Sequence, residues 1–249
     1  MKKLASFICM LALLVTLCAC GAGTTEGAGT TSNPTTAPVE TTSPYPEPDK
    51  IIALTFDDGP NVHMETILDV FAEYGGKASF YVIGKKVDGK AAEYVKRAVE
   101  EGHEIGNHSY SHEDMTVKSE AEILSEISRT QAAVKEVTGQ EPVWYRPPFL
   151  RASDLTYSLI KMPHAGCEVS VGDGSNDNLA EDRHYRLISG ATDGAIALLH
   201  CNDITAEILP KMLHDLKMMG YEFVTTSELF ARVNATPDAN RTSLYENNK

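Results

Sequence analysis

The sequence predicts an α/β fold, a mostly parallel sheet with helices packed outside it. Three observations carry that expectation: short apolar, β-branched runs recur along the chain, stretches of helical periodicity separate them, and several runs end in Gly, Pro or Asp turns. Strands are expected at 51–56, 77–83, 104–106, 143–149, 166–171, 194–200 and 221–226, with helices at 64–73, 91–101, 119–137 and 206–219. The first run, Ile51-Ile52-Ala53-Leu54-Thr55-Phe56, has the continuous apolar content of a strand buried on both faces. Ser119 and Glu122 form a capping box before the third helix, whose Ile123, Ile127, Val134 and Val137 approximate one apolar face. About 180 residues between polar ends suffice for a single large core, and no internal repeat is evident.

Residues with chemistry cluster at the ends of the strands, where α/β folds place ligands. Asp57-Asp58-Gly59-Pro60 closes the first strand. Side chains alternate along extended chain, so two adjacent carboxylates point apart, and one can bind a cation while the other serves as a base. By itself the tetrapeptide also suits a plain polar turn. His108 and His112 are four residues apart, a spacing that in a helical turn puts both rings on one face, within reach of one metal. Asp58 as third ligand leaves the open position expected of a catalytic zinc-type site. Arg146 precedes Pro147 and Pro148, which stiffen its backbone, and an arginine so held suits a buried carboxylate. The fifth strand runs into a polar turn holding Asp173 and Asp177, and the sixth delivers His200 at its carboxyl end.

In this order, Thr-Phe-Asp-Asp-Gly-Pro, His-Ser-x-x-His, Arg-Pro-Pro-Phe and Leu-Leu-His resemble the motifs of the NodB-homology polysaccharide deacetylases, carbohydrate esterase family four, over about residues 50 to 232. The resemblance implies a distorted (β/α) barrel of one domain. It also implies hydrolysis of acetyl groups from a polysaccharide, assisted by one divalent metal, zinc first, with cobalt or nickel as alternatives. It assigns Asp58, His108 and His112 to the metal, Asp57 to the general base, Arg146 to orienting that base, and His200 to the general acid. Leu198 lines the acetyl-methyl pocket, Pro147 contacts substrate, and the Phe149 backbone amide joins the metal in stabilising the oxyanion. Two departures stand out. The family's fourth motif carries Asp followed by Trp, whereas here Asp177-Asn178 is the nearest match, and Leu150 stands where many members have Gly. Asp177 is the expected partner of His200, since Asp173 sits between Gly172 and Gly174 like a turn residue. The chain's single tryptophan, Trp144, lies by the third motif. The competing reading is a glycan-binding surface lipoprotein on the same fold with impaired turnover.

The amino terminus supplies an address. Met1-Lys2-Lys3, an apolar run over 4–17 too short for a membrane span, and Leu17-Cys18-Ala19-Cys20-Gly21 resemble a bacterial lipoprotein signal, with Cys20 the lipid-bearing residue. An ordinary secretory signal or an uncleaved anchor is the alternative. The expected organisation is therefore a signal at 1–19, a Thr/Pro-rich tether at 20–50, the catalytic domain at 51–232 and a polar tail at 233–249. This implies a lipid-anchored, extracytoplasmic monomer facing the cell wall. The formal charge of −13 becomes −15 without the leader, since Lys2 and Lys3 leave with it and no acid does, which argues against nucleic acid and polyanionic partners. Cys167 and Cys201 remain beside the fourth and fifth motifs, where an oxidising exterior leaves a disulfide open. His63, His103, His164, His184 and His214 read as surface or packing residues.

Overall fold

The computed structural model describes residues 43–174 and 179–236. The leader, Cys20, Asp177 and most of the expected tail lie outside the described residues. No helix among the described residues is long and apolar enough to cross a membrane.

The first strand, β1 (Lys50–Gly59), is the axis of the sheet. Its apolar run is buried on both faces, with Ile52, Leu54 and Phe56 in one apolar cluster and Ala53 in another, and it pairs on both edges, with β5 (Ala195–His200) along one and with β2 (Ser79–Val82) and β6 (Tyr221–Phe223) along the other. With β3 (Glu104–Asn107) beside β2, and the two-residue β4 (Val169–Ser170) beside β5, the order is β3-β2-β1-β5-β4, all parallel. The expected strand at 143–149 is reduced to two bridges at one residue: Tyr145 pairs with Asn107 on one side and His164 on the other. Pro142, Pro147, Pro148 and Pro163 lack the N–H that longer ladders need, which limits this stave to a few bonds. Those bonds nevertheless close a ring. Asn107 N–H donates to the Trp144 carbonyl, Ala165 N–H to the Tyr145 carbonyl and Glu168 N–H to the Ile196 carbonyl, carrying the sheet round from β3 to β5. The expected distorted barrel takes this form.

Helices α1 (Val62–Tyr74), α2 (Gly89–Glu100), α3 (Glu120–Thr138) and α6 (Asp203–Met218) match the sequence expectation within a few residues. Three more are found: α4 (Asp154–Leu159), α5 (Ala180–Gly190) and α7 (Thr226–Arg232). Asn61 caps α1 by accepting from His63 N–H and Met64 N–H, and Met64, Ile67, Leu68 and Phe71 form its buried stripe. That stripe meets the sheet at an aromatic cluster, with Phe56 stacked on Phe80 at 5.4 Å and edge-on to Phe71 at 6.0 Å, and with Phe71 edge-on to Phe223 at 6.1 Å. His103 packs edge-on against Phe71 and Phe80 and accepts from Ala78 N–H. Burial, aided by Lys77 and Arg97, pulls its pKa down to about 4, so it is a neutral packing residue. Cys167 and Cys201 are free thiols.

Phe71 is buried and holds this cluster together from the helix side. Phe71→Ala should therefore cost about 3–5 kcal/mol, cavity included, read as a lower urea midpoint at unchanged m-value.

Candidate active site

The site lies at the carboxyl ends of β1 and β5. Asp57 and His200 are register partners on these two parallel strands, so their side chains leave the sheet together. The divergence of Asp57 from Asp58 has a sharper cause than simple alternation. The pairing of β1 with β2 slips between Asp57 and Gly59, and Asp58 takes a left-handed φ of 70°. Such a bulge re-aims one side chain without disturbing the strand before it.

Asp57 is buried and bonded by Arg146 Nη1 at 2.8 Å. Burial pushes its pKa up, but the Arg146 guanidinium, with His200, outweighs that and holds the carboxyl below its ordinary value. Arg146 is itself fully buried, also donating to Thr55 Oγ1 at 2.7 Å and to the carbonyls of Ala165 and Gly166, with its plane over the Tyr81 ring at 4.1 Å. On the other side, His200 Nδ1–H donates to an Asp173 oxygen at 2.7 Å. Burial pulls the His200 pKa down, yet Asp173, with Asp57 and Asp58, overrides it and raises the pKa above the ordinary value. The expected partner, Asp177, lies outside the described residues; Asp173 is the carboxylate found at this nitrogen. Its turn is no free loop, because the other Asp173 oxygen accepts from His200 N–H and Thr205 Oγ1–H. A side chain at Gly174 would lie 3.2 Å from His200 Cε1, so this glycine leaves the ring uncovered.

His108 and His112 do not share a helical turn. They sit in a loop in which Ser109 and His112 both have left-handed φ, 63° and 60°. The sequence reading missed what holds that loop, the buried Glu126 of α3. Its carboxylate accepts from Tyr110 N–H at 2.9 Å, Ser111 N–H at 2.7 Å and Ser111 Oγ–H at 2.8 Å. A signal was present, since Glu126 falls on the same stripe as Ile123, Thr130 and Val134. His108 Nδ1 lies 2.7 Å from the Arg146 carbonyl, which can only accept, so Nδ1 carries a proton and Nε2, 3.6 Å from Asp58 Oδ1, is the ring atom left to a cation. His112 is shifted to lower pKa, first by burial, which keeps its ring neutral.

The donor atoms of Asp58, His108 and His112 all lie within 4.8 Å of one another. Asp58 Oδ1 is 3.2 Å from His112 Nε2 and 3.6 Å from His108 Nε2. That oxygen is buried without a hydrogen-bond partner, which is costly for a carboxylate and fits a cation among the three. Two imidazoles and one carboxylate are a donor set suited to zinc with an open position. Asp58, His108, His112, Asp57 and His200 face one cavity of about 250 Å³, walled by Phe149, Leu150, Leu198 and Gly174. Pro147 opens the turn that carries Phe149 and Leu150, both left-handed at φ 59° and 55°. Trp144 points elsewhere, donating to Ser227 Oγ at 2.8 Å and packing on Phe230, so it does not stand in for the absent fourth-motif tryptophan.

Residues 45–164 match the polysaccharide deacetylase family. The chain is 38% identical over 192 residues to a bifunctional xylanase/deacetylase of Pseudobutyrivibrio xylanivorans, covering 76% of this chain and 32% of that protein. To a peptidoglycan-N-acetylglucosamine deacetylase of Bacillus cereus it is 33% identical over 195 residues, covering 74% and 90%. A solved family 4 acetyl xylan esterase from Clostridium thermocellum, in complex with a cobalt ion, matches with a TM-score of 0.73 and 37% identity, over 76% of this chain and 95% of that one. The chain spans 32% to 40% of the length of the first curated relatives it matches.

The arrangement sets Asp58, His108 and His112 apart from Asp57, and metal titration tests whether the first three bind a cation without the fourth. His108→Ala or His112→Ala should lower zinc affinity by at least about 10-fold, while Asp57→Asn keeps one zinc per chain. Zinc bound with parental affinity in both histidine variants, or lost in Asp57→Asn, would contradict it.

Proposed function

Because the chain belongs to the polysaccharide deacetylase family, we propose that it is a metal-dependent hydrolase that removes acetyl groups from a polysaccharide, with Asp57 as general base and His200 as general acid. The observation that carries this reading is the opposed tuning of two groups across one cavity: a carboxylate whose pKa Arg146 lowers and an imidazole whose pKa Asp173 raises, each against the effect of burial. Pairs of titratable groups driven apart by their surroundings are the signature of acid and base assignments.

A divalent cation held by Asp58, His108 and His112, zinc or alternatively cobalt or nickel, supplies Lewis acidity, polarising the acetyl carbonyl and bringing the pKa of a water from 15.7 to about 7. The need for it follows from Asp57. Even an unshifted aspartate, with a pKa near 3.9, takes a proton from free water uphill by about 12 pK units, or roughly 16 kcal/mol, so Asp57 would need the acidification that a cation held by Asp58, His108 and His112 would supply. Arg146 holds one Asp57 oxygen and leaves the other to receive that proton. The Phe149 backbone N–H faces the developing oxyanion. Leu198 receives the acetyl methyl group, and Pro147 fixes the approach of the sugar. His200, with Nδ1 engaged by Asp173, presents Nε2–H to the departing amine or alkoxide.

The substrate is N-acetylglucosamine in peptidoglycan or chitin-type glycans, or O-acetyl xylan. In this reading the domain at 51–232 works outside the cytoplasm, tethered by residues 20–50 to a lipid on Cys20 after removal of 1–19; its support is the Leu17-Cys18-Ala19-Cys20 pattern.

Acetate release from peptidoglycan, chitin oligomers and acetylated xylan by zinc-loaded protein tests the activity, and no acetate from any of them would end it. The acid assignment has a signed pH test. Asp173 raises the pKa of His200 against burial, so Asp173→Asn lets burial prevail and the pKa fall. The basic limb of kcat/KM should then move to lower pH with zinc retained, and an unmoved limb contradicts the assignment.

A further inference from the structure

The two largest fully buried side chains of the described residues are both arginines, Arg146 and Arg183. Arg146 stands behind the base. Arg183, on α5, stands at the opposite side of the site, and the role proposed above for His200 does not call on it.

Its bonds lead to the acid in two steps. Arg183 Nη1 donates to Asn202 Oδ1 at 2.9 Å and to Thr205 Oγ1 at 3.4 Å. A hydroxyl has one proton, and with Arg183 donating to its oxygen, Thr205 is left to give that proton to Asp173 Oδ2, at 2.6 Å. Asn202, its side-chain oxygen also receiving Thr205 N–H, turns its amide nitrogen to the Asp173 carbonyl at 3.1 Å. Both arms therefore close on Asp173, whose remaining oxygen holds His200 Nδ1. Arg183 and Thr205 are wholly buried and Asp173 nearly so, leaving little water to replace a lost bond.

We infer that Arg183 is a positioning residue for the general acid, fixing the Asp173–His200 pair through Thr205 and Asn202. The inference rests on His200 acting as the acid of the deacetylase reading. It also accounts for α5, a helix with few apolar positions that buries Arg183 and Leu187. An arginine at a core-facing helical position is expensive unless its donors are used, and here Nη1 is used twice on the frame of the site.

A positioning role through the acid depends on the leaving group. A sugar amine or alkoxide must be protonated as it departs, whereas an aryl acetate releases a stable phenolate without help. Arg183→Met should lower kcat for an N-acetylated glycan oligomer by about 10- to 100-fold, with KM little changed, and kcat for 4-nitrophenyl acetate by no more than about 3-fold. Thr205→Val, which keeps the arginine and removes the hydroxyl, should lose in the same pattern, and Arg183→Lys should recover part of the loss. Equal losses on both substrates, or none on either, would overturn the inference.

A second readout needs no turnover. In ¹⁵N-histidine-labelled, zinc-loaded protein, the His200 Nδ1–H resonance reports the bond to Asp173. In Arg183→Met and Thr205→Val it should shift and exchange faster with water. A parental resonance in both variants overturns the inference. A changed resonance in protein whose parent releases no acetate upholds the positioning and instead removes the deacetylase reading.

Discussion

A fully buried guanidinium, Arg146, is the group on which the rest of the site depends. Its side chain neutralises Asp57, ties β1 through Thr55, and reaches the carbonyls of Ala165 and Gly166 on the far stave of the barrel. Its own carbonyl receives His108 Nδ1–H and thereby leaves Nε2 facing Asp58 and His112, with which it could hold a cation. One residue thus joins the two halves of the site, and Pro147-Pro148 behind it limit its backbone. The pairing has a cost in desolvation that only good geometry offsets, and removing one partner of such a pair typically costs about 3–5 kcal/mol. Four donated bonds and the Tyr81 face supply that geometry.

The two sides of the cavity follow one design with opposite sign. Asp57 would be raised by burial and is lowered by a buried cation; His200 would be lowered by burial and is raised by a buried anion. Register pairing of β1 with β5 sets them side by side, so each also favours the charged form of the other. Facing the same cavity, the unbonded Asp58 oxygen and the imidazoles of His108 and His112 leave room for a cation.

What was legible in the sequence sits where local chemistry decides. Asp57, Asp58 and His200 end apolar runs, Arg146 precedes a double proline, and the two histidines are close in sequence. What was not legible depends on distant partners. The shape of the His108–His112 loop is set by Glu126 on another element, and the bulge at Asp58 by pairing with β2. Asp173 resembled a turn residue because its neighbours are glycines; its standing comes from His200 and Thr205, 27 and 32 residues away. Helices α4 and α7 are short, and α5 lacks an apolar stripe, so periodicity had little to report.

The central claim is a division of labour between neighbouring carboxylates, with Asp58 on the metal and Asp57 on Arg146. Anomalous diffraction from crystals of the zinc-loaded protein tests it most directly. The expected result is one zinc bonded to Asp58, His108 Nε2 and His112 Nε2, with Asp57 still bonded by Arg146 and outside the zinc's shell. Asp57 bonded to zinc, with Arg146 withdrawn from it, would contradict the division.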